Sequence, residues 1–430
     1  MRYNKIVKNA SWIIVCRIVQ SLIALIIGML SARYLGPSNY GLLNYANSVV
    51  AFVVPLAQLG LRNVLVEEIV SHPDREGKTL GTMIVMSIAS SILCVFGCLA
   101  FVSIVNVGER DTFIVCALYS VSLVFQVTEM IQYWYQAKLL SKYTSIVSLI
   151  AYAIVSVYKF FLLILNKSIY WFAISYAFDY FIISIVLFFI YRKIGNQKLS
   201  FSFSLGKQLF SKSKYYIVAN MMVTVFAQTD KIMIKMIVGN AENGYYSTAV
   251  TCAGVAGFVF GAVIDSLRPV IFESRKVSHK DFEKKMILLY SIIFYMGIAQ
   301  SVFFTIFAKQ VIKILYGSAY LAAIPLLKVV TWYSIFSYMG MVRNIWMLAE
   351  EKQRYLWIIN MSGALLNVVG NLIMIPYIGA VGAAIASVLT QFFTNFLLCF
   401  VIPPIRPTSK MIIKALNPKQ LLDMLKHKKV

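Results

Sequence analysis

Runs of about 20 apolar residues recur from one end of this chain to the other, separated by short polar gaps. That length is what an α-helix needs to cross the ~30 Å hydrocarbon core of a bilayer. The runs lie near 11–33, 41–66, 79–105, 112–134, 144–165, 169–191, 215–237, 246–267, 286–307, 321–348, 355–377 and 380–402. They predict an all-α membrane protein of about twelve transmembrane helices.

Several runs carry polar residues that return at helical spacing. The first has Arg17, Gln20, Ser21 and Ala24; the second has Asn44, Asn47, Ser48, Gln58 and Arg62, with Pro55 on the same stripe to kink it. The fourth repeats the pattern with Gln126, Glu129, Tyr133 and Gln136. Asn220, Thr224, Gln228, Lys231 and Lys235 align on the seventh, with Asp230 at their edge, and Asn360, Asn367 and Asn371 on the eleventh. An ionisable side chain at the bilayer centre costs roughly 2.5–3.5 kcal/mol on insertion scales, so such stripes should face a water-filled lumen rather than lipid.

A repeat divides the chain. Gly36, Gly41 and Ala46 follow the first run with the same spacing as Gly239, Gly244 and Ala249 after the seventh. Equal spacing at an equal topological position predicts two parallel six-helix lobes, an architecture of rocking transporters with a site between lobes. The expected organisation is an N-terminal lobe at 1–191, a basic cytoplasmic linker at 192–214, a C-terminal lobe at 215–402 and a basic cytoplasmic tail at 403–430.

The composition agrees: 60% of residues are hydrophobic and 13% charged, more apolar surface than a soluble domain can bury. The formal net charge of +23 raises the question of nucleic acid, and the placement of the charge answers it. With the N-terminus inside, the inner gaps and tails hold 28 of the 40 Lys and Arg residues. The positive-inside rule then sets both termini in the cytoplasm, with the basic gaps against anionic membrane lipids and no nucleic-acid partner. The first apolar run reads as an uncleaved anchor. No His-based centre can be assembled at membrane depth, because His72, His279 and His427 fall in inner gaps or the tail, and Cys94 with Cys98 lacks the further ligands of a metal site. Catalytic residues, a metal and a bound cofactor are therefore not expected.

The deep charges lean basic: Arg17, Lys159, Lys231, Lys328 and Arg343 against Glu129, Asp179 and Asp230. Guanidinium and ammonium groups suit a phosphate or diphosphate headgroup, while Asn, Gln and Tyr suit sugar hydroxyls and ring faces. The candidate substrate-binding residues are Arg17, Arg62, Lys159, Lys231, Arg343, Gln58, Tyr133 and Asn367. Asp179, Asp230 and Glu129 are the candidate coupling acids for an H+ or Na+ gradient. The competing reading is structural: Lys159 with Asp179 and Asp230 with Lys231 tie helices together, and Arg62, Lys235 and Arg343 snorkel from span ends. Arg17 has no acid nearby in its own helix and is the leading single candidate.

Arg33-Tyr34-Leu35-Gly36-Pro37 with Tyr40-Gly41, Asp230-Lys231 with Gly244-Tyr245-Tyr246, Tyr316-Gly317-Ser318-Ala319-Tyr320 and Gly379-Ala380-Val381-Gly382-Ala383-Ala384 together resemble the polysaccharide-biosynthesis and O-antigen flippase family. Its superfamily includes multidrug and toxic-compound extruders and lipid II flippases. The resemblance implies two six-helix lobes, alternating access, and export of an undecaprenyl-diphosphate-linked oligosaccharide across a bacterial inner membrane. It also implies a polysaccharide polymerase and a chain-length regulator as partners, and headgroup binding by Arg17. Relatives that move lipid II carry two further helices, which this pattern lacks. The alternatives are a cation-coupled multidrug exporter, against which the basic lumen speaks, and a membrane glycosyltransferase or polymerase, against which the short outer loops speak. No phosphate loop of the Walker type is present.

Overall fold

The structure is a computed structural model. It describes residues 2–195 and 197–418, with side chains described throughout except at positions 2–15, 17, 63 and 129. Among these residues all regular structure is helical. Two compact units divide the chain at Ile232 and Met233.

The first unit is built from α1 (Arg2–Ala57), α2 (Leu61–Ser71), α3 (Glu76–Val105), α4 (Arg110–Gln126), α5 (Glu129–Ala137), α6 (Ser141–Ile164), α7 (Ile169–Ile194) and most of α8 (Phe203–Ile237). The long α1 is two helices joined at Gly36, whose φ of 71° and ψ of 171° are not helical. Side-chain bonds show that the chain reverses there. Gln20 donates to the Ser148 carbonyl near the start of α6, whereas Tyr34 donates to the Lys167 carbonyl beyond its end. Past the glycine the order runs backwards: Tyr45 donates to Asn106 after α3, and the Leu56 carbonyl accepts from Ser90, further back toward the start of α3. An antiparallel hairpin therefore takes up the first predicted span and the second as far as Ala57; the left-handed turn at Leu59 and Gly60 breaks off the remainder, with Arg62, into α2.

That backbone explains Gly36. A positive φ with extended ψ is a region that only glycine occupies without strain, and a Cβ there would meet nothing within 4 Å, so conformation rather than space selects the residue. Its repeat partner Gly239 has φ 114° and ψ −179° in the equivalent turn. Gly41, Gly244, Ala46 and Ala249, the other residues of the repeat, are all buried.

The second unit continues with α9 (Asn240–Gly254), α10 (Gly257–Val277), α11 (His279–Leu315), α12 (Ala323–Val330), α13 (Tyr333–Ala349), α14 (Leu356–Ile378), α15 (Ala380–Phe392), α16 (Leu398–Val401) and α17 (Pro407–Ala415). One π-helical turn, Phe393–Leu397, joins α15 to α16. Its core gathers Phe260, Ile264, Met286, Tyr290, Met339, Trp346 and their neighbours into one apolar cluster.

Ten helices among the described residues are long and apolar enough to cross a membrane. The number differs from the predicted twelve for two geometric reasons. Ile18–Ala57 holds two spans in one hairpin, and the predicted span at 321–348 is broken after Val330 into α12 and α13, each too short to qualify alone.

Candidate functional site

A polar cavity of about 420 Å³ opens in the first unit between α1, α2, α5 and α6. Its size falls in the range of roughly 300–1,000 Å³ typical of small-molecule sites. Cys16 and Gln20 come from α1, Arg62 from α2, Gln132, Tyr133 and Gln136 from α5, and Ser141, Thr144, Ser145 and Ser148 from α6.

Helical spacing makes each wall. Gln132, Tyr133 and Gln136 lie within one turn of α5, and Ser141, Thr144, Ser145 and Ser148 stand at i, i+3, i+4 and i+7 on α6, which puts four hydroxyls on one face. Thr144 and Ser145 each donate to the Ser141 carbonyl at 2.9 Å, so their oxygens keep lone pairs as acceptors. The Gln20 amide donates to the Ser148 carbonyl at 2.9 Å and fixes α1 against that wall. The Arg62 guanidinium lies 4.9 Å from the centre of the Tyr133 ring. A cation over an aromatic face is held in place by the ring quadrupole, which leaves the edge of the planar fork to grip two oxygens of a ligand.

Outside that lining the unit is clamped by ion pairs. Glu68 is 1% exposed and accepts from Arg75 at 2.9 Å and Lys212 at 2.5 Å, with His72 at 3.4 Å. Burial drives its carboxyl up, but the hydrogen bonds from Lys212 and Arg75 outweigh burial and hold it below the usual carboxylate range. Lys138, just after α5, pairs with buried Glu76. The connecting segment between α7 and α8 lies against the start of α3: Gln197 accepts from the Gly77 amide and donates to the Pro73 carbonyl. Glycine at 77 permits the approach, since a Cβ there would sit 2.5 Å from the Lys198 carbonyl oxygen.

Of the predicted binding residues, Arg62 and Tyr133 meet in this cavity. The side chains of Arg17 and Glu129 lie outside the described residues, although Arg17 directly follows the cavity residue Cys16. Gln58 is half-buried outside the described lining. Lys159 on α6 and Asp179 on α7 attract each other elsewhere in the unit, with Tyr152 beside the carboxylate. Lys231 interacts with its neighbour Asp230, which is buried. In the second unit Arg343 is 3% exposed and donates to the Thr394 carbonyl in the π-helical turn at 2.8 Å and to Asn344 at 3.1 Å. Asn367, also buried, donates to Ser387 and so joins α14 to α15.

The candidate set left out Gln132 and the hydroxyl wall of α6, whose i, i+3, i+4, i+7 spacing was the available signal. It also left out Arg268 and Asp265, which pair at 3.0 Å on an exposed face of α10.

The polysaccharide biosynthesis protein family model matches residues 6–275. The chain belongs to that family. An uncharacterized membrane protein of Methanocaldococcus jannaschii is 24% identical over 207 residues, a stretch that spans 47% of this chain and 40% of the relative. Among solved structures, an inward-facing multidrug resistance MATE family transporter of the MOP superfamily aligns with a TM-score of 0.67 at 14% identity, over 92% of this chain and 96% of that one. The lipid II flippase MurJ in an inward closed conformation aligns equally well, with a TM-score of 0.67 at 17% identity over 94% and 90%. This member of the polysaccharide biosynthesis family thus has the fold of the MOP-superfamily transporters.

Proposed function

We propose that this protein is a flippase for a lipid-linked oligosaccharide, moving an undecaprenyl-diphosphate-linked sugar repeat unit from the cytoplasmic to the outer face of a bacterial inner membrane by alternating access. The observation that carries the reading is the polar cavity with Arg62 set over Tyr133. Its described lining offers one guanidinium, three glutamine side chains and a row of hydroxyls, and no carboxylate. An anionic glycan headgroup finds partners for both charge and hydroxyls there, whereas an organic cation finds no counter-charge among those residues. Arg17, the residue after Cys16 in the sequence, is the further candidate for gripping the diphosphate. The lipid tail stays in the bilayer while the headgroup crosses, and an H+ or Na+ gradient acting through Asp179, Asp230 or Glu129 supplies the drive. A polysaccharide polymerase with its chain-length regulator consumes the product outside.

Deletion of the gene tests this directly. Lipid-linked oligosaccharide should accumulate on the inner leaflet and the matching surface glycan should disappear. Unchanged glycan with raised dye sensitivity would sink the proposal in favour of a drug exporter. Arg17→Ala should insert and express normally, because removing a deep charge lowers the insertion cost, while surface glycan per folded molecule is lost. Arg17→Lys keeps the charge without the fork and should retain partial activity.

A further inference from the structure

The basic segment between Asp179 and Asp230 contains Arg192, Lys193, Lys198, Lys207, Lys212 and Lys214 and no acidic residue at all. Lys212 is taken by Glu68. Two of the others lie near aromatic rings: Arg192 stands 5.5 Å from the Phe188 ring centre and Lys214 5.2 Å from that of Tyr215. The start of α8 is held in a fixed orientation. Leu205, Leu209 and Ser213 are buried against the unit, and a Cβ on Gly60 would lie 2.7 Å from the Ser213 carbonyl oxygen.

The opposite side of the same turns presents Phe203, Lys207, Phe210 and Lys214 at i, i+4, i+7 and i+11, all exposed, with Phe203 at 79%. Alternating aromatic and lysine residues on one stripe suit neither water nor hydrocarbon, because the rings seek an apolar medium and the ammonium groups a polar one. The depth of the stripe matches that division. Lys212 meets Glu68 just before the α2 to α3 connection, and Ser202 binds Thr82 in the first turns of α3, so these residues stand level with helix ends rather than mid-span.

We propose that this stripe is a binding foot for anionic phospholipid headgroups, with Lys207 and Lys214 on the phosphates and Phe203 and Phe210 at the acyl boundary. Charge complementarity selects the occupant: a surface of uncompensated cations at interface depth fits an anionic leaflet. The site is separate from the cavity proposed for cargo.

Photolabelling of the full-length protein in phosphatidylcholine nanodiscs tests the assignment. A photoactivatable phosphatidylglycerol should label the segment from Leu199 to Ile217 well above the matching phosphatidylcholine probe. Lys207→Gln with Lys214→Gln should cut that labelling about thirtyfold, given roughly 1 kcal/mol for each of the two lysines near an anionic surface. Lys207→Arg with Lys214→Arg should keep it, and Lys309→Gln with Lys313→Gln, at the far end of α11, should leave it unchanged. Equal labelling by both probes, or labelling indifferent to the glutamine substitutions, would overturn the proposal. So would displacement by inorganic diphosphate, which would replace the lipid with a soluble anion.

Discussion

The ends of the two units that carry the histidines invite comparison. In the first, Val70-Ser71-His72 leads to Asp74, Glu76 and Lys78; in the second, Val277-Ser278-His279 leads to Asp281, Glu283 and Lys285 at the same spacing. Each unit also turns at a non-glycine residue in the left-handed region, Leu139 with φ 56° and Glu351 with φ 55°. Trp134 and Ala137 precede the first turn as Trp346 and Ala349 precede the second. The backbone plan is shared, but the charges are reversed. The turn in the first unit brings Lys138 to buried Glu76, and the turn in the second brings Glu350 to Arg275 at 2.7 Å and His279 at 3.8 Å.

What lies behind the turns differs more. Ser141, Thr144, Ser145 and Ser148 line a cavity in the first unit, where the residues at the same distance past the second turn are Gln353, Leu356, Trp357 and Asn360. Tyr133 corresponds to Ile345, a member of the packed apolar core. The comparison teaches that the duplicated element is a scaffold with an ion-paired end. One copy lines a polar cavity with Tyr133, whereas the other buries Ile345 at that position in its apolar core.

The largest expected effect separates the two ion-paired ends. Glu68→Gln removes a carboxylate that is 1% exposed and serves two cations, and breaking such a pair should cost about 3 kcal/mol. Glu350→Gln, with its side chain 16% exposed, should cost about 1 kcal/mol. Equal losses in thermal unfolding would erase the distinction drawn between the units. Glycine substitutions probe what the units share instead. Gly36→Ala and Gly239→Ala should each destabilise by about 2 kcal/mol, since both place a side chain at positive φ with extended ψ. A loss at only one site would show that the two turns are not equivalent.

Arg62→Ala should lower transport at least tenfold, about 1.4 kcal/mol, with the fold intact. Tyr133→Ile, which imports the residue of the second unit, should do the same through loss of the cation–ring contact. Transport at the parental rate in both would remove the cavity from the pathway. The smallest effect is in pH. Because the folded Glu68 carboxyl lies below its unfolded value, its stabilisation is complete above the ordinary carboxylate range near 4 and lost as pH falls through the folded value. Acid should therefore loosen contacts of Lys212 first, and Glu68→Gln should abolish that pH dependence, as measured by hydrogen exchange in the segment around Lys212.

The sequence by itself determined the all-helical membrane class and the repeat, because segment length, apolar content and residue spacing are local properties; that Gly36 and Gly239 are required for their positive φ came from the structure. Arg62 and Tyr133 were also legible as candidates, each by its place on a polar stripe. Tertiary structure alone decided that these two meet over one cavity, since the stripes of α2 and α5 are 71 residues apart along the chain and only packing brings them together. It decided equally that Arg343 is buried against the Thr394 carbonyl and that Asn367 bonds Ser387. A deep polar residue looks the same in sequence whether it faces water or a carbonyl on the next helix. Which one it meets depends on how helices far apart in the chain pack, and residue spacing within one helix does not encode that.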